Sequence, residues 1–219
     1  MTRQLIVIAH HLVWTAYGWW LPNDPRGSLS RFIAQDILKD LGRLHFGRKL
    51  IQPTGKIIRE FYREAAKRLT HELSTFDAAA RQIIADAFAE VIARETYTCW
   101  ACAIMPDHIH MIIRKHRDTA EDMITNFQNA SRSRLRECSF RTLDHPTWGG
   151  PGFKVFLDHP TEIHRTIKYI EQNPLKIGLP SQSWPFVMPY NNWPLHEGHS
   201  SNSPCVKAMK RAGVYPNIK

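Results

Sequence analysis

The stretch Met105-Pro106-Asp107-His108-Ile109-His110-Met111-Ile112-Ile113-Arg114 decides how this chain is read. After Asp107 it alternates polar and apolar residues and is rich in β-branched side chains, which predicts a strand. Side chains two apart on a strand share a face. His108 and His110 therefore point the same way and can reach one metal ion, while Ile109 and Met111 face a core. Just upstream, Thr96 to Met105 also reads as a strand. With only Pro106-Asp107 between them the two strands should pair as a hairpin, placing the His pair at the start of a central strand.

Working outward, Gln4 to Tyr17 reads as a first strand. Gly18 to Ser30 is irregular, with turn signals in Leu21-Pro22-Asn23-Asp24-Pro25-Arg26-Gly27, and a mostly basic connection runs to about Gly55. Lys56 to Leu73 has an amphipathic helical pattern with Ile58, Phe61, Ala65, Leu69 and Leu73 as its apolar stripe. Its basic stripe of Lys56, Arg59, Arg63 and Lys67 suits a phosphate backbone or simply water. Asp77 to Arg94 predicts a second helix with Ile83, Ile84, Ala87, Phe88, Val91 and Ile92 buried. Thr119 to Arg136 predicts a third, opened by a capping box of Thr119 and Asp122. Phe153 to Leu157 is a short strand after the turn-rich Trp148-Gly149-Gly150-Pro151-Gly152. Pro160 starts a helix expected to run to about Asn173, where Pro174 stops it. From Leu179 on, Trp184, Pro185, Pro189, Asn191, Asn192, Trp193 and Pro194 suggest an extended tail packed on the surface, followed by a short basic helix from Cys205 to Val214. The expected organisation is one domain over 1–180, with an insertion at about 18–55, and a C-terminal tail over 181–219.

The composition bounds the function. The chain has 219 residues, 43% of them hydrophobic, and seven Trp, enough for a sizeable core. A formal charge of +9 and a pI near 9.6 favour an anionic partner, nucleic acid first and anionic membrane second, over a solvated basic surface. No apolar run approaches the ~18 residues a membrane span needs. Leu5 to Ala9 is short and is interrupted by His10 and His11, so it does not read as a signal peptide. A cytoplasmic protein without membrane contact is expected.

Cys99-Trp100-Ala101-Cys102 invites a redox or zinc reading. Its surroundings read as a strand rather than a helix start, so residues three apart should face opposite sides and the thiols should diverge. No second Cys pair completes a zinc site.

On the helix from Pro160, Ile163, Ile167 and Ile170 form the buried stripe and Tyr169 falls to one side. Glu162, Thr166 and Asn173 share the Tyr169 face. A Tyr with polar neighbours at helical spacing can present its phenol to solvent or to a metal site, and the Asn173 amide one turn on can serve the same ion. A lone helical Tyr is more often structural, so the weight lies on the combination with His108 and His110.

That combination, His108-Ile109-His110 followed by Tyr169-Ile170-Glu171-Gln172-Asn173-Pro174-Leu175-Lys176-Ile177-Gly178, resembles the single-tyrosine HUH transposases, named for His, bulky hydrophobic, His. It looks most similar to the REP-associated tyrosine transposases, whose hallmark is a Tyr-Ile-x-x-Asn-Pro segment ending in Gly. The resemblance covers the first strand and about Thr96 to Gly178. It implies an α/β (α+β) fold, a central antiparallel ferredoxin-like sheet with helices packed on it. It implies Mg²⁺ or Mn²⁺ held by His108, His110 and Asn173, with Tyr169 as nucleophile. Gln172 is a weaker third ligand, on the wrong helical face. The implied activity is transposition chemistry: metal-dependent cleavage of single-stranded DNA, often at a hairpin foot, through a covalent phosphotyrosine, followed by strand transfer.

Single strands are held by basic grooves and aromatic stacking. Arg132, Arg134, Arg136, Lys154 and Lys168 are the candidate DNA contacts, and Trp19, Trp20 and Trp148 are candidate platforms. Core packing competes for each Trp. His10 and His11, being adjacent on a strand, should face opposite sides and read as decoys, as do His159 and His164. Asp107 is placed to orient an imidazole. Two rival functions remain at this level: a metal-dependent hydrolase with a water nucleophile, and a domesticated hairpin-DNA-binding protein without cleavage. A monomer and a homodimer are both compatible.

Overall fold

The computed structural model describes residues 7–28, 30–33, 36–194 and 204–213. Its elements, in chain order, are β1 (Ala9–Thr15), a 3-10 helix (Asp36–Leu41), α1 (Gly55–Ala66), α2 (Ala78–Glu95), β2 (Cys99–Ile104), β3 (His108–Arg114), α3 (Ala120–Glu137), β4 (Phe153–Leu157), α4 (Pro160–Lys176) and α5 (Pro204–Arg211). The strands form one sheet in the order β2-β3-β1-β4, every neighbour antiparallel. Taking α2 and α3 as the two crossovers, the succession β-α-β-β-α-β in this order is the ferredoxin-like split arrangement. The expected fold class therefore holds, with β3 inside the sheet.

Alternation along the strands builds two layers. Leu12 and Trp14 of β1 and Ile109, Met111 and Ile113 of β3 pack with Ile84, Phe88, Met123 and Phe127 of α2 and α3. Trp14 lies stacked on Phe127 with ring centroids 6.1 Å apart. Full burial of side chains of this size stabilises by about 1.5–3 kcal/mol each. The opposite face buries Ala9, Ile112 and Leu157 against Ile163 and Ile170 of α4 and Met209 of α5. His108 and His110 share this second face.

Helix ends follow local chemistry. The Asp77 carboxylate accepts from the Ala80 amide at 2.8 Å and caps α2, and Thr119 with Asp122 forms the expected capping box on α3. α1 is shorter than its periodicity suggests. It ends at Ala66, and Leu69 and Leu73 turn in to pack over Gly18, where an added Cβ would fall 2.5 Å from Leu73 Cδ2. The segment between β1 and α1 contains the 3-10 helix and contributes Leu21 and Leu38 to a small separate core with Ala65 of α1. In that segment the buried Asp24 pairs with Arg26 at 2.7 Å and accepts from the Tyr62 hydroxyl.

Pro174 lies inside α4, which continues to Lys176. Proline's ring-fixed φ of about −65° is itself helical, so Pro174 forfeits its own hydrogen bond without stopping the residues after it, and the last turn closes through Ile177 N–H donating to the Pro174 carbonyl at 3.2 Å. Cys99 and Cys102 do not diverge: both belong to the core beneath α2 and α3, while Trp100 and Ala101 face the other way. A register shift between Cys99 and Ala101 supplies the extra residue that restores a common face. Both thiols are buried and free, and burial pushes both well above the usual thiol range, so they pack as small hydrophobes.

The first strand is shorter than its apolar pattern, and Gln4 to Ile6 lie outside the described residues. The basic C-terminal helix spans Pro204–Arg211, and Val214 lies outside them. The extended tail follows β2: Val187 bridges Cys99 in parallel, and the Met188 amide donates to the Cys99 carbonyl at 2.8 Å. The Gln182 side chain pairs with both the amide and the carbonyl of Ile104, each at 2.8 Å. The outer edge of β2 is thus covered rather than left open.

Candidate functional site

The turn that carries the His pair is pinned from two sides. Ala16, just past β1, donates its amide to the Asp107 carbonyl at 2.9 Å, and Phe76 donates to Pro106 at 2.8 Å. β3 runs antiparallel to β1, with Thr15 opposite His108 and Val13 opposite His110. His110 is only 7% exposed. The rings of His108 and His110 stand 4.8 Å apart, centroid to centroid, at 89°.

Each imidazole is engaged through Nδ1. His108 Nδ1 lies 2.6 Å from the Asp107 carboxylate, the contact expected for an orienting carboxylate. Burial works to raise the Asp107 carboxyl, but the His108 hydrogen bond and charge, with the positive field of Arg26, outweigh it and hold the group below its ordinary value. His110 Nδ1 lies 3.0 Å from His11 Nε2. Burial, followed by the charges of His108, His11 and Lys176, drives His110 well below the ordinary histidine range. Burial alone lowers His11 from 6.5 to about 4. Both are neutral near pH 7.

α4 brings the remaining groups. The His159 Nδ1 accepts from the Thr161 amide at 3.2 Å and Pro160 opens the first turn, which fixes where the helix starts. Ile163 and Ile170 then face the sheet. Tyr169, one residue off that stripe, is 38% exposed, with its ring edge-on to His110 at 5.4 Å and to His11 at 6.4 Å. Asn173 is buried one turn further on. Its amide nitrogen has no hydrogen-bond partner. Lys176 Nζ sits 4.6 Å above the Tyr169 ring.

Two members of this cluster were not among the sequence candidates. His11 reads as a decoy until the register is known. β1 then places it on the α4 face, diagonal to His110, a contact between residues 99 apart in sequence. Lys176 stands in the Tyr169 segment, and its helical offset of seven from Tyr169 was the available signal. His159 and His164 are engaged elsewhere, the first as a helix cap and the second with Asn192 Oδ1 at 2.7 Å.

The candidate DNA contacts are spread over both layers. Lys168 is exposed on α4, beside Tyr169. Arg132, Arg134 and Arg136 belong to α3, on the opposite face of the sheet. Arg132 bonds Asn129 Oδ1 at 3.1 Å, Arg134 pairs with Glu90, and Arg136 lines an open cleft with Arg141 and Leu143. Lys154 pairs with Glu121 of α3. Trp148 is buried against Trp14 and Phe76, and Trp19 donates to the Ser74 carbonyl at 2.8 Å. Trp20 carries the Arg26 guanidinium 3.7 Å from its ring centre.

Among the described residues no group of three or more His, Cys, Asp or Glu side chains is arranged to hold a metal ion, and no helix is long and apolar enough to cross a membrane. No protein-family model matches the chain, and no curated protein does. Among solved structures it is similar to a REP-associated tyrosine transposase bound to a REP hairpin, at 14% identity over 99% of this chain and 87% of that one, with a TM-score of 0.44. It is also similar to a candidate transposase from Deinococcus radiodurans R1, at 12% identity over 77% of this chain and 92% of that one, with a TM-score of 0.34. Both are distant likenesses.

Proposed function

We propose that this chain is a divalent-metal-dependent enzyme that nicks and transfers strands of single-stranded or hairpin DNA, with Tyr169 as nucleophile and His108, His110 and Asn173 as ligands of Mg²⁺ or Mn²⁺. The observation that carries this reading is a half-exposed phenol set edge-on to His110, whose Nδ1, like that of His108, is already engaged. In a neutral imidazole engaged at Nδ1 as donor, the lone pair is on Nε2, free for a metal.

The ligand set fits a divalent cation. A buried amide edge without a partner is costly, and Asn173 has one. Rotation about its last bond exchanges that nitrogen for an oxygen, a suitable donor atom for Mg²⁺ or Mn²⁺. When bound, the ion supplies positive charge at a non-bridging phosphoryl oxygen. The chain's own residues do the rest. Tyr169 Oη forms a bond to phosphorus as the bond to the 3′-oxygen breaks. The phenolic proton ends on that oxygen, giving a free 3′-OH and a 5′-phosphotyrosine. A second 3′-OH reverses the step and regenerates the phenol, so a strand is resealed without ATP. Lys176, above the Tyr169 ring, adds positive charge beside the incoming phosphate. The Tyr169 ring lies 5.4 Å from that of His110 in the same chain, an arrangement that supports cleavage in cis. The +9 formal charge supports an anionic substrate.

The test is a nicking assay on 5′- and 3′-labelled hairpin DNA with Mg²⁺, Mn²⁺ or EDTA. The expected result is a metal-dependent protein–DNA adduct that survives denaturing electrophoresis and is absent in Tyr169→Phe. Cleavage without an adduct, unaffected by that substitution, would instead indicate a hydrolase with a water nucleophile. Hairpin binding without cleavage would favour the binding protein.

A further inference from the structure

We propose that His11 is a positioning residue for His110: its Nε2 accepts the His110 Nδ1 proton and so fixes both the orientation of that ring and the tautomer whose Nε2 is free for a metal. The inference rests on the metal-dependent reading above.

The geometry is paired. His108 and His110 are each held at Nδ1 by a different kind of partner, the Asp107 carboxylate at 2.6 Å and the His11 imidazole at 3.0 Å. An acceptor on the far nitrogen is how a ligand imidazole is commonly oriented and made more basic. A carboxylate can only accept, so the His108 contact has one polarity. Two neutral imidazoles allow two, and only one of them leaves His110 Nε2 unprotonated. His11 must then carry its own proton on Nδ1. The sheet holds it in place: Val13, two residues on along β1, pairs with His110, so β1 and β3 cannot shift without losing the contact. The His11 and His110 rings are 5.1 Å apart at 31°, and His11 meets the Tyr169 ring edge at 6.4 Å. His11 thus borders both the ligand and the nucleophile.

The experiment compares wild type, His11→Phe and His11→Gln, the last of which keeps an acceptor at the Nε2 position. Two readouts are needed besides activity: histidine side-chain ¹⁵N NMR of the metal-free protein at neutral pH, and Mn²⁺ affinity from water proton relaxation. The expected result is His110 as the Nδ1–H tautomer in wild type and in His11→Gln. In His11→Phe the Nε2–H form should appear and Mn²⁺ affinity should fall by about 10- to 100-fold. A wild-type His110 protonated on Nε2 would overturn the proposal, as would a His11→Phe protein that binds Mn²⁺ like wild type. His110→Ala separates loss of the metal site from loss of the His11 contact. If it binds Mn²⁺ as wild type does, the metal reading fails, and this inference with it. If it loses Mn²⁺ while His11→Phe does not, only the role of His11 fails.

Discussion

The ring of Tyr169 stands edge-on to that of His110, with centroids 5.4 Å apart and planes at 81°. The relationship joins a helix that follows the sheet to a strand inside it, and it separates chemistry from stability. Tyr169 lies at the rim of α4, off the stripe formed by Ile163 and Ile170. Tyr169→Phe should therefore leave stability within about 0.5 kcal/mol of wild type. It should also preserve Mn²⁺ binding while removing the covalent adduct. Thermal melting beside the gel assay checks this. A large loss of stability would mean that the phenol holds the fold rather than serving the reaction.

Lys176 and Arg134 make opposite predictions. Lys176 sits over the Tyr169 ring, whereas Arg134 is paired with Glu90 on the other layer. If DNA lies across the α4 face, Lys176→Met removes one phosphate contact. The slope of log affinity against log salt for single-stranded DNA should then fall by about 0.7, and Arg134→Met should leave it unchanged. Fluorescence anisotropy over a salt series measures both. The reverse pattern would put the DNA on the α3 side.

Acid should weaken the fold through the buried imidazoles. Burial depresses His11 from 6.5 to about 4 in the folded chain. Between those values the unfolded chain binds a proton that the folded chain does not. Stability is therefore fully present above pH 6.5, falls as pH drops toward 4, and flattens below. For His11 alone the loss is about 3 kcal/mol. The difference between wild type and His11→Gln across a pH series of thermal melts isolates this contribution from the carboxylates. The melting temperature of the variant should fall less steeply between pH 7 and 4.5, and parallel curves would contradict the buried neutral imidazole.

Gln182 closes the β2 edge by pairing with both main-chain groups of Ile104. Gln182→Ala leaves those groups without this partner, and the expected cost is about 1–3 kcal/mol. A urea melt measures it. No change would mean that water satisfies the edge as well as the tail does.

Much of this was legible in local pattern. The alternation after Asp107, the short Pro106-Asp107 turn and the Thr119–Asp122 capping box each state their structure within a few residues, and the fold follows from them. Tyr169 and Asn173 were legible as a pair one turn apart on a helix. What the sequence hid was non-local or depended on register. One inserted residue in β2 turned Cys102 back to the side of Cys99. The pairing of Val13 with His110 brought His11 across from β1. Adjacency alone made His10 and His11 look equivalent, and only the sheet decides which of them meets the site. Pro174 misled for a different reason: a proline's fixed φ is itself helical, so it costs one hydrogen bond without forcing the chain out of the helix.

The most direct measurement is the site of attachment. The adduct formed with Mn²⁺ on hairpin DNA would be digested with nuclease and trypsin and its peptides sequenced by mass spectrometry. The expected result is a residual nucleotide, linked through its 5′-phosphate, on the peptide Tyr169-Ile170-Glu171-Gln172-Asn173-Pro174-Leu175-Lys176, at Tyr169. Attachment to any other residue, or cleaved DNA with no modified peptide, would contradict it.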